Sequence, residues 1–127
     1  MHIVRFFETR ARAFGYAFAG WWYVLRTQRN AWIHALASVS VAIMALWLGI
    51  PGRDWAVLIL AIAMVWTAEF MNTALESVVD LASPKIHPLA KAGKDVAAAA
   101  VLIAALASVL IGLLILGPPL LVKLGLH

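Results

Sequence analysis

Residues 69–80 read Glu69-Phe70-Met71-Asn72-Thr73-Ala74-Leu75-Glu76-Ser77-Val78-Val79-Asp80. They follow an apolar run from Trp55 to Ala68 that belongs either in a protein interior or in lipid. On a helix, positions 69, 72, 73, 76 and 80 share one face, because spacings of three, four and seven stack side chains. Phe70, Met71, Ala74, Leu75, Val78 and Val79 keep the other faces apolar. One helix therefore carries a stripe of three carboxylates, an Asn and a Thr on a greasy body. Ionised groups in such a place are costly unless they bind something.

The surrounding chain supplies a membrane setting. Of 127 residues, 65% are hydrophobic and only 13% charged, and the mean hydropathy is +0.94. A soluble domain carries roughly 25% charged residues, so this composition is that of a membrane protein, and its length fits one domain, 1–127. The net charge is +4, but the Lys and Arg are scattered over helix ends and loops. They do not form the single basic face that a nucleic-acid partner requires. With no cysteine, disulfides and thiolate metal sites are excluded. The N-terminus is too interrupted by Arg5, Glu8, Arg10 and Arg12 to be a signal peptide.

Working outward, residues 1–29 read as an amphipathic surface helix. Val4, Phe7, Ala11, Phe14, Phe18, Trp21, Trp22 and Leu25 gather on one side, and Arg5, Glu8, Thr9, Arg12, Tyr16, Tyr23 and Arg26 on the other. An aromatic face opposite an Arg-rich one suits the lipid headgroup region. Residues 31–50, 55–80 and 95–117 are the three expected spans, each about the length a bilayer core needs. Pro51-Gly52-Arg53-Asp54 is the expected tight turn, 81–94 the expected loop, and Gly117-Pro118-Pro119 the expected end of the third span. Arg5, Arg10, Arg12, Arg26 and Arg29 precede the first span, and Lys85, Lys91 and Lys94 lie in the 81–94 loop. By the positive-inside rule the N-terminus and that loop are cytoplasmic, and the 51–54 turn and C-terminus outside.

That topology gathers Glu76, Asp80, Lys94 and Asp95 at the cytoplasmic interface, with Glu69 about two turns deeper at roughly 5.4 Å per turn. Glu76 and Asp80, with Asn72 and Asp95, are hard oxygen ligands of the kind Mg²⁺ accepts alongside substrate phosphates. Lys94, Lys91, Arg12 and Arg10 are phosphate-binding cations. Glu69 lies where a lipid headgroup reaches more easily than bulk water, which suits a general base for a hydroxyl. Neither a Walker loop nor a kinase-type glycine loop is present. The residues alone leave two readings open: phosphoryl transfer to a lipid alcohol, or a solvated acidic helix end in which Lys94 pairs with Asp80.

The pattern Glu69-x-x-Asn72-Thr73-Ala74-Leu75-Glu76-x-x-Val79-Asp80 resembles the signature of the prokaryotic diacylglycerol kinase and undecaprenol kinase family. His87, Lys94-Asp95 and the run Ala97–Leu102 resemble that family's second characteristic stretch. Phe14-x-Tyr16-Ala17-Phe18-x-Gly20 and Arg29-Asn30-x-x-Ile33-His34 resemble its N-terminal portion. The likeness covers about residues 8–116. It implies an all-α membrane fold: an N-terminal interfacial helix and three transmembrane helices, assembled as a homotrimer with active sites between subunits. Small residues such as Ala61, Ala63, Ala97, Ala98, Ala100, Ala104 and Ala105 permit the close helix contacts an assembly needs.

The same resemblance implies a lipid kinase using ATP and Mg²⁺ in a bacterial cytoplasmic membrane. Glu69 would act as base, with Asn72 beside the transferred phosphoryl group and Glu76 holding the metal. Lys94, Asp95, Asp80, His87, Tyr16 and Arg10 or Arg12 would surround the nucleotide, with Thr9 standing where the family usually has a further Arg. Tyr16 reads alternatively as an interfacial anchor, and His87 as a helix cap. Asn30, His34, Glu69 and Ala98 would meet the lipid, and Asn30 and His34 read alternatively as packing residues. The Asn30–His34 pair and the Ala-rich start of the third span favour undecaprenol over diacylglycerol. One departure stands out: the family carries a glutamate as second metal ligand where this chain has Gln28, so weakened metal binding and an impaired enzyme are expected. A small proton-coupled multidrug-type transporter using Glu69 is the competing class.

Overall fold

The computed structural model describes residues 2–126, with side chains from residue 5 onward, so Met1, His127 and the Val4 side chain of the expected apolar face lie outside the described residues. Four helices follow in order: α1 (His2–Thr27), α2 (Arg29–Leu48), α3 (Gly52–Ala82) and α4 (Pro88–Lys123). Among the described residues there is no strand. Three helices, α2, α3 and α4, are long and apolar enough to cross a membrane. Large apolar side chains such as Leu36, Leu60 and Leu114 are at least 70% exposed in the single chain. Faces of that kind require lipid or another apolar surface.

Every side chain from residue 5 to 23 is exposed, including Phe7, Phe14 and Phe18, so the aromatic face of α1 is free to meet lipid. The helix ends earlier than the expected residue 29. Gln28 is extended (φ −108°, ψ 113°) and separates α1 from α2 as a single non-helical residue. Its N–H donates to the Val24 carbonyl at 2.8 Å and closes α1; its carbonyl accepts from Ala31 N–H at 3.3 Å and opens α2.

The first span also ends early, at Leu48 rather than 50. Gly49 adopts the left-handed conformation (φ 66°), and the N–H groups of Gly49 and Ile50 both reach the Ala45 carbonyl, at 3.1 and 3.4 Å. This is the glycine-terminated close that satisfies carbonyls at a helix end. Gly52, Arg53 and Asp54, expected in a turn, instead form the first turn of α3, where Asp54 complements the helix dipole.

The expected loop 81–94 shrinks to residues 83–87. Pro88 occupies the first position of α4, and His87 Nδ1 accepts the Leu89 N–H at 3.1 Å. Proline costs nothing there because that N–H would be unpaired anyway. Lys91, Lys94 and Asp95 are therefore helical. At the far end, α4 runs through Pro118 and Pro119 to Lys123 instead of stopping at 117. The two prolines withhold donors from the Leu114 and Ile115 carbonyls, a loss that membrane helices tolerate. Packing on both sides of the prolines keeps the helix going. Leu116 is buried with Ala45, Ile50 and Leu58. Lys123 donates to the Trp47 carbonyl at 2.8 Å and covers the Trp47 ring at 4.4 Å.

The helices α3 and α4 share the longest seam, lined by Ala61, Val65, Ala97, Val101 and Ala104. Within lipid no hydrophobic force drives such helices together, so close contact between small side chains holds them. Ser108 Oγ adds a hydrogen bond to the Ala61 carbonyl at 3.1 Å. A second cluster, Val24, Ala31 and Trp66, ties the α1–α2 junction to α3 next to the carboxylate stripe.

Candidate active site

From Glu69 to Thr73 the stripe survives folding as a buried ridge. Glu69 is 1% exposed, Thr73 3% and Asn72 7%, and Glu76 is half-buried one turn further on. Thr73 Oγ bonds the Glu69 carbonyl at 2.9 Å and Ser77 Oγ bonds the Thr73 carbonyl, so the hydroxyls satisfy themselves within α3. The polar groups that remain face other helices.

Glu76 is the centre of the first constellation. Gln28 Nε2 donates to one of its oxygens and Asn72 Nδ2 to the other, each at 3.2 Å. The helix break at residue 28 is what delivers the Gln28 side chain to α3. Asn72 Oδ1 is buried and has no partner among the described residues. If the two amides turn over, Gln28, Asn72 and Glu76 present an all-oxygen set of one carboxylate and two carbonyls. Such a set fits Mg²⁺ that arrives with phosphates, because Mg²⁺ keeps few protein ligands. Among the described residues no group of three His, Cys, Asp or Glu forms a self-sufficient metal cage.

Glu69 anchors the second constellation. Its Oε2 lies 3.5 Å from His34 Nε2, and both carboxylate oxygens lack hydrogen-bond partners among the described residues. Around this pair stands an aromatic wall that sequence reasoning missed. Trp66 lies 4.6 Å from Trp21 and 5.9 Å from Phe70, and Trp21 lies 4.6 Å from Phe70. Trp66 Nε1 donates to Ser38 Oγ at 3.2 Å, and Ser38 Oγ donates to the His34 carbonyl at 2.7 Å. The only advance signal was Trp66 three residues before Glu69 on the same helix face.

A third constellation sits at the exposed end of α3 and start of α4. Lys94 pairs with Asp80, and Lys91 with Asp95 one turn along α4. His87 caps α4. Arg10, Arg12 and Tyr16 are exposed on α1, with Arg10 stacked 5.0 Å over Phe6 of its own helix. No hydrogen bond joins these three to α3 among the described residues. Asn30 and Ala98 are likewise exposed. An apolar groove of about 380 Å³ runs between α1 and α3, lined by Gly20, Trp21, Val24, Phe70, Thr73 and Ala74.

Comparison with known proteins bears on this arrangement. Residues 15–116 match the model of the prokaryotic diacylglycerol kinases. The chain belongs to that family. The match takes in α1 from Gly15 onward and all three polar constellations, and leaves Arg10 and Arg12 outside it. The undecaprenol kinase of Bacillus subtilis strain 168 is 42% identical over 116 residues, which span 91% of each protein. The diacylglycerol kinase of Synechocystis is 48% identical over 110 residues, 86% of this chain and 63% of that protein. The diacylglycerol kinase of Escherichia coli strain K12 is 31% identical over 106 residues, 78% of this chain and 81% of that protein. Membership of a kinase family removes the footing of the transporter alternative.

Proposed function

We propose that this protein is a membrane lipid kinase that moves the γ-phosphoryl group of ATP to the hydroxyl of a long-chain lipid alcohol. Undecaprenol is the favoured acceptor and diacylglycerol the alternative. The observation that carries the reading is Glu69: a carboxylate 1% exposed, with no hydrogen-bond partner among the described residues, on the same face as the oxygen donors Asn72 and Glu76. A buried, unpartnered carboxylate is expensive and is what abstraction of a proton from a lipid hydroxyl needs.

In this mechanism Glu69 takes the hydroxyl proton as the acceptor oxygen attacks the γ-phosphorus. The bond to the β–γ bridging oxygen breaks and ADP leaves. Glu76, with Gln28 and Asn72 as neutral oxygen donors, would hold Mg²⁺, which neutralises charge on the phosphates when bound. Lys94 contacts phosphate, releasing Asp80 toward the sugar, and Asp95, His87, Tyr16 and Arg10 or Arg12 complete the nucleotide's surroundings. Asn30 and Ala98 border the lipid. The groove between α1 and α3 is apolar along Trp21 and Phe70 and gives the acceptor's hydrocarbon chain a path to the ridge.

A single chain leaves Asp80 and Asp95 largely exposed and Lys94 only half-buried, so the enclosed site is completed by neighbouring subunits of a homotrimer. The protein sits in the bacterial cytoplasmic membrane with its N-terminus and the α3–α4 connection inside and its C-terminus outside. The match to an undecaprenol kinase over 91% of each chain supports that acceptor. Purified protein assayed for ATP-dependent phosphorylation of both lipids in one detergent, across a magnesium titration, tests the reading; higher turnover with diacylglycerol reverses the acceptor assignment. A catalytically impaired member is the second reading, favoured by Gln28, whose neutral amide replaces an anionic ligand. ATP binding without phosphorylated product is its signature.

A further inference from the structure

The pairing of His34 with Glu69 is built but not closed. His34 Nε2 and both Glu69 oxygens are buried without hydrogen-bond partners among the described residues, yet Nε2 faces Oε2 at 3.5 Å. That gap exceeds an ordinary N–H···O bond by about 0.5 Å, and a small rotation of either side chain closes it. Catalytic hydrogen bonds are often loose before substrate binds.

The imidazole is held in place from two directions. Its ring meets Trp66 edge-on at 6.3 Å, and its own backbone carbonyl is gripped by Ser38, which Trp66 also donates to. Trp66 is in turn wedged against Trp21 and Phe70. The α2 helix therefore presents a braced ring nitrogen to a carboxylate on α3. The side chain of His34 is 14% exposed against 1% for Glu69, so the histidine stands at the rim and the carboxylate inside.

We propose that His34 is a positioning residue for Glu69, its Nε2–H donating to Oε2 so that Oε1 alone accepts the proton of the lipid hydroxyl. This rests on the kinase reading above. In the transfer step the acceptor O–H bond breaks, its proton goes to Oε1, and the freed oxygen pair forms the bond to the γ-phosphorus. The bond from phosphorus to the bridging oxygen breaks, and its electron pair leaves with ADP. His34 gains and loses nothing; it fixes which oxygen is free and where its lone pair points. In this role its polar atom touches the base, in contrast to the lipid contact implied by the family resemblance.

The test uses full-length protein in detergent with the acceptor lipid that supports turnover. His34→Ala should lower kcat roughly 10–100-fold, the worth of one charge-assisted hydrogen bond, with KM for lipid and ATP changed by less than about twofold. His34→Gln, which keeps an N–H donor, should restore most of the loss. In a Glu69→Gln background, His34→Ala should cause no further loss. A raised lipid KM with unchanged kcat, or losses that add across the two sites, overturns the proposal. ¹⁵N NMR of the imidazoles provides a readout independent of turnover: His34 should carry its proton on Nε2, and Glu69→Gln should shift the His34 signals but not those of His87. An unprotonated Nε2, or a His34 signal indifferent to residue 69, rejects the pairing even if His34→Ala does not fold. Absence of lipid-dependent turnover in the parent protein refutes the kinase reading instead, while the NMR result still decides the pair.

Discussion

Replacing Gln28 by Glu changes the sign of one interaction and leaves its shape nearly intact. The Gln28 amide nitrogen stands 3.2 Å from a Glu76 oxygen and donates to it. A glutamate in the same rotamer puts carboxylate oxygen against carboxylate oxygen. Two unit charges at that distance repel by about 1 kcal/mol at the dielectric constant of water and about 5 kcal/mol at an effective value near 20. Both residues are half-buried, so the true cost falls between these limits. A divalent cation turns the repulsion into attraction. Gln28→Glu protein in detergent should therefore melt lower than the parent in EDTA and recover or exceed it in magnesium. Its magnesium requirement for lipid phosphorylation should also drop, since each ~1.4 kcal/mol of added affinity lowers the half-saturating concentration tenfold. Thermal unfolding with and without magnesium, alongside a magnesium titration of turnover, measures both. Identical magnesium dependence in the two proteins, or a lower rate at low magnesium, refutes a ligand role for residue 28.

Glu69→Gln should reduce lipid phosphorylation by at least ~100-fold while equilibrium nucleotide binding stays close to that of the parent; retained turnover removes Glu69 as the base. Lys94→Met should raise KM for ATP about tenfold if the ammonium meets phosphate, with little change in melting temperature because its pair with the exposed Asp80 is worth about 1 kcal/mol; an unchanged KM leaves Lys94 a purely structural partner. Gly49→Ala forces a methyl group onto a residue at φ 66°, at a cost of about 1–2 kcal/mol, and should lower the melting temperature by several degrees without altering KM for either substrate; an unaltered melting curve shows that the α2–α3 turn relaxes to another conformation.

The spans were legible because composition and length suffice to locate them: twenty apolar residues have few alternatives. Their ends were less so. Gly49 stands two residues before the more conspicuous Pro51-Gly52, and only the observed left-handed backbone shows which glycine stops the helix. Pro118-Pro119 reads as a terminator, yet Leu116 packing and the Lys123–Trp47 contact carry α4 past it. The cluster of lysines after Pro84 reads as loop, although Pro88 at a helix start was available as a signal. For the site, spacing placed Glu69, Asn72, Thr73 and Glu76 on one face, and burial follows that face closely. Spacing within one helix says nothing about partners on another. The contacts of Gln28 with Glu76 and of His34 with Glu69 join residues 48 and 35 positions apart, and no local pattern encodes them.

Gln28 takes part in three contacts at once: its N–H ends α1, its carbonyl begins α2, and its amide touches Glu76. In the proposed kinase, a residue so shared would tie the attitude of α1 to the state of the Glu76 site. Lipid packing, curvature or a neighbouring protein that tips α1 would then also shift the amide that faces Glu76. Conversely, a ligand held by Glu76 would stiffen α1 through the same contacts. On that reading the bilayer's mechanical condition becomes an input to the chemistry, delivered through one side chain.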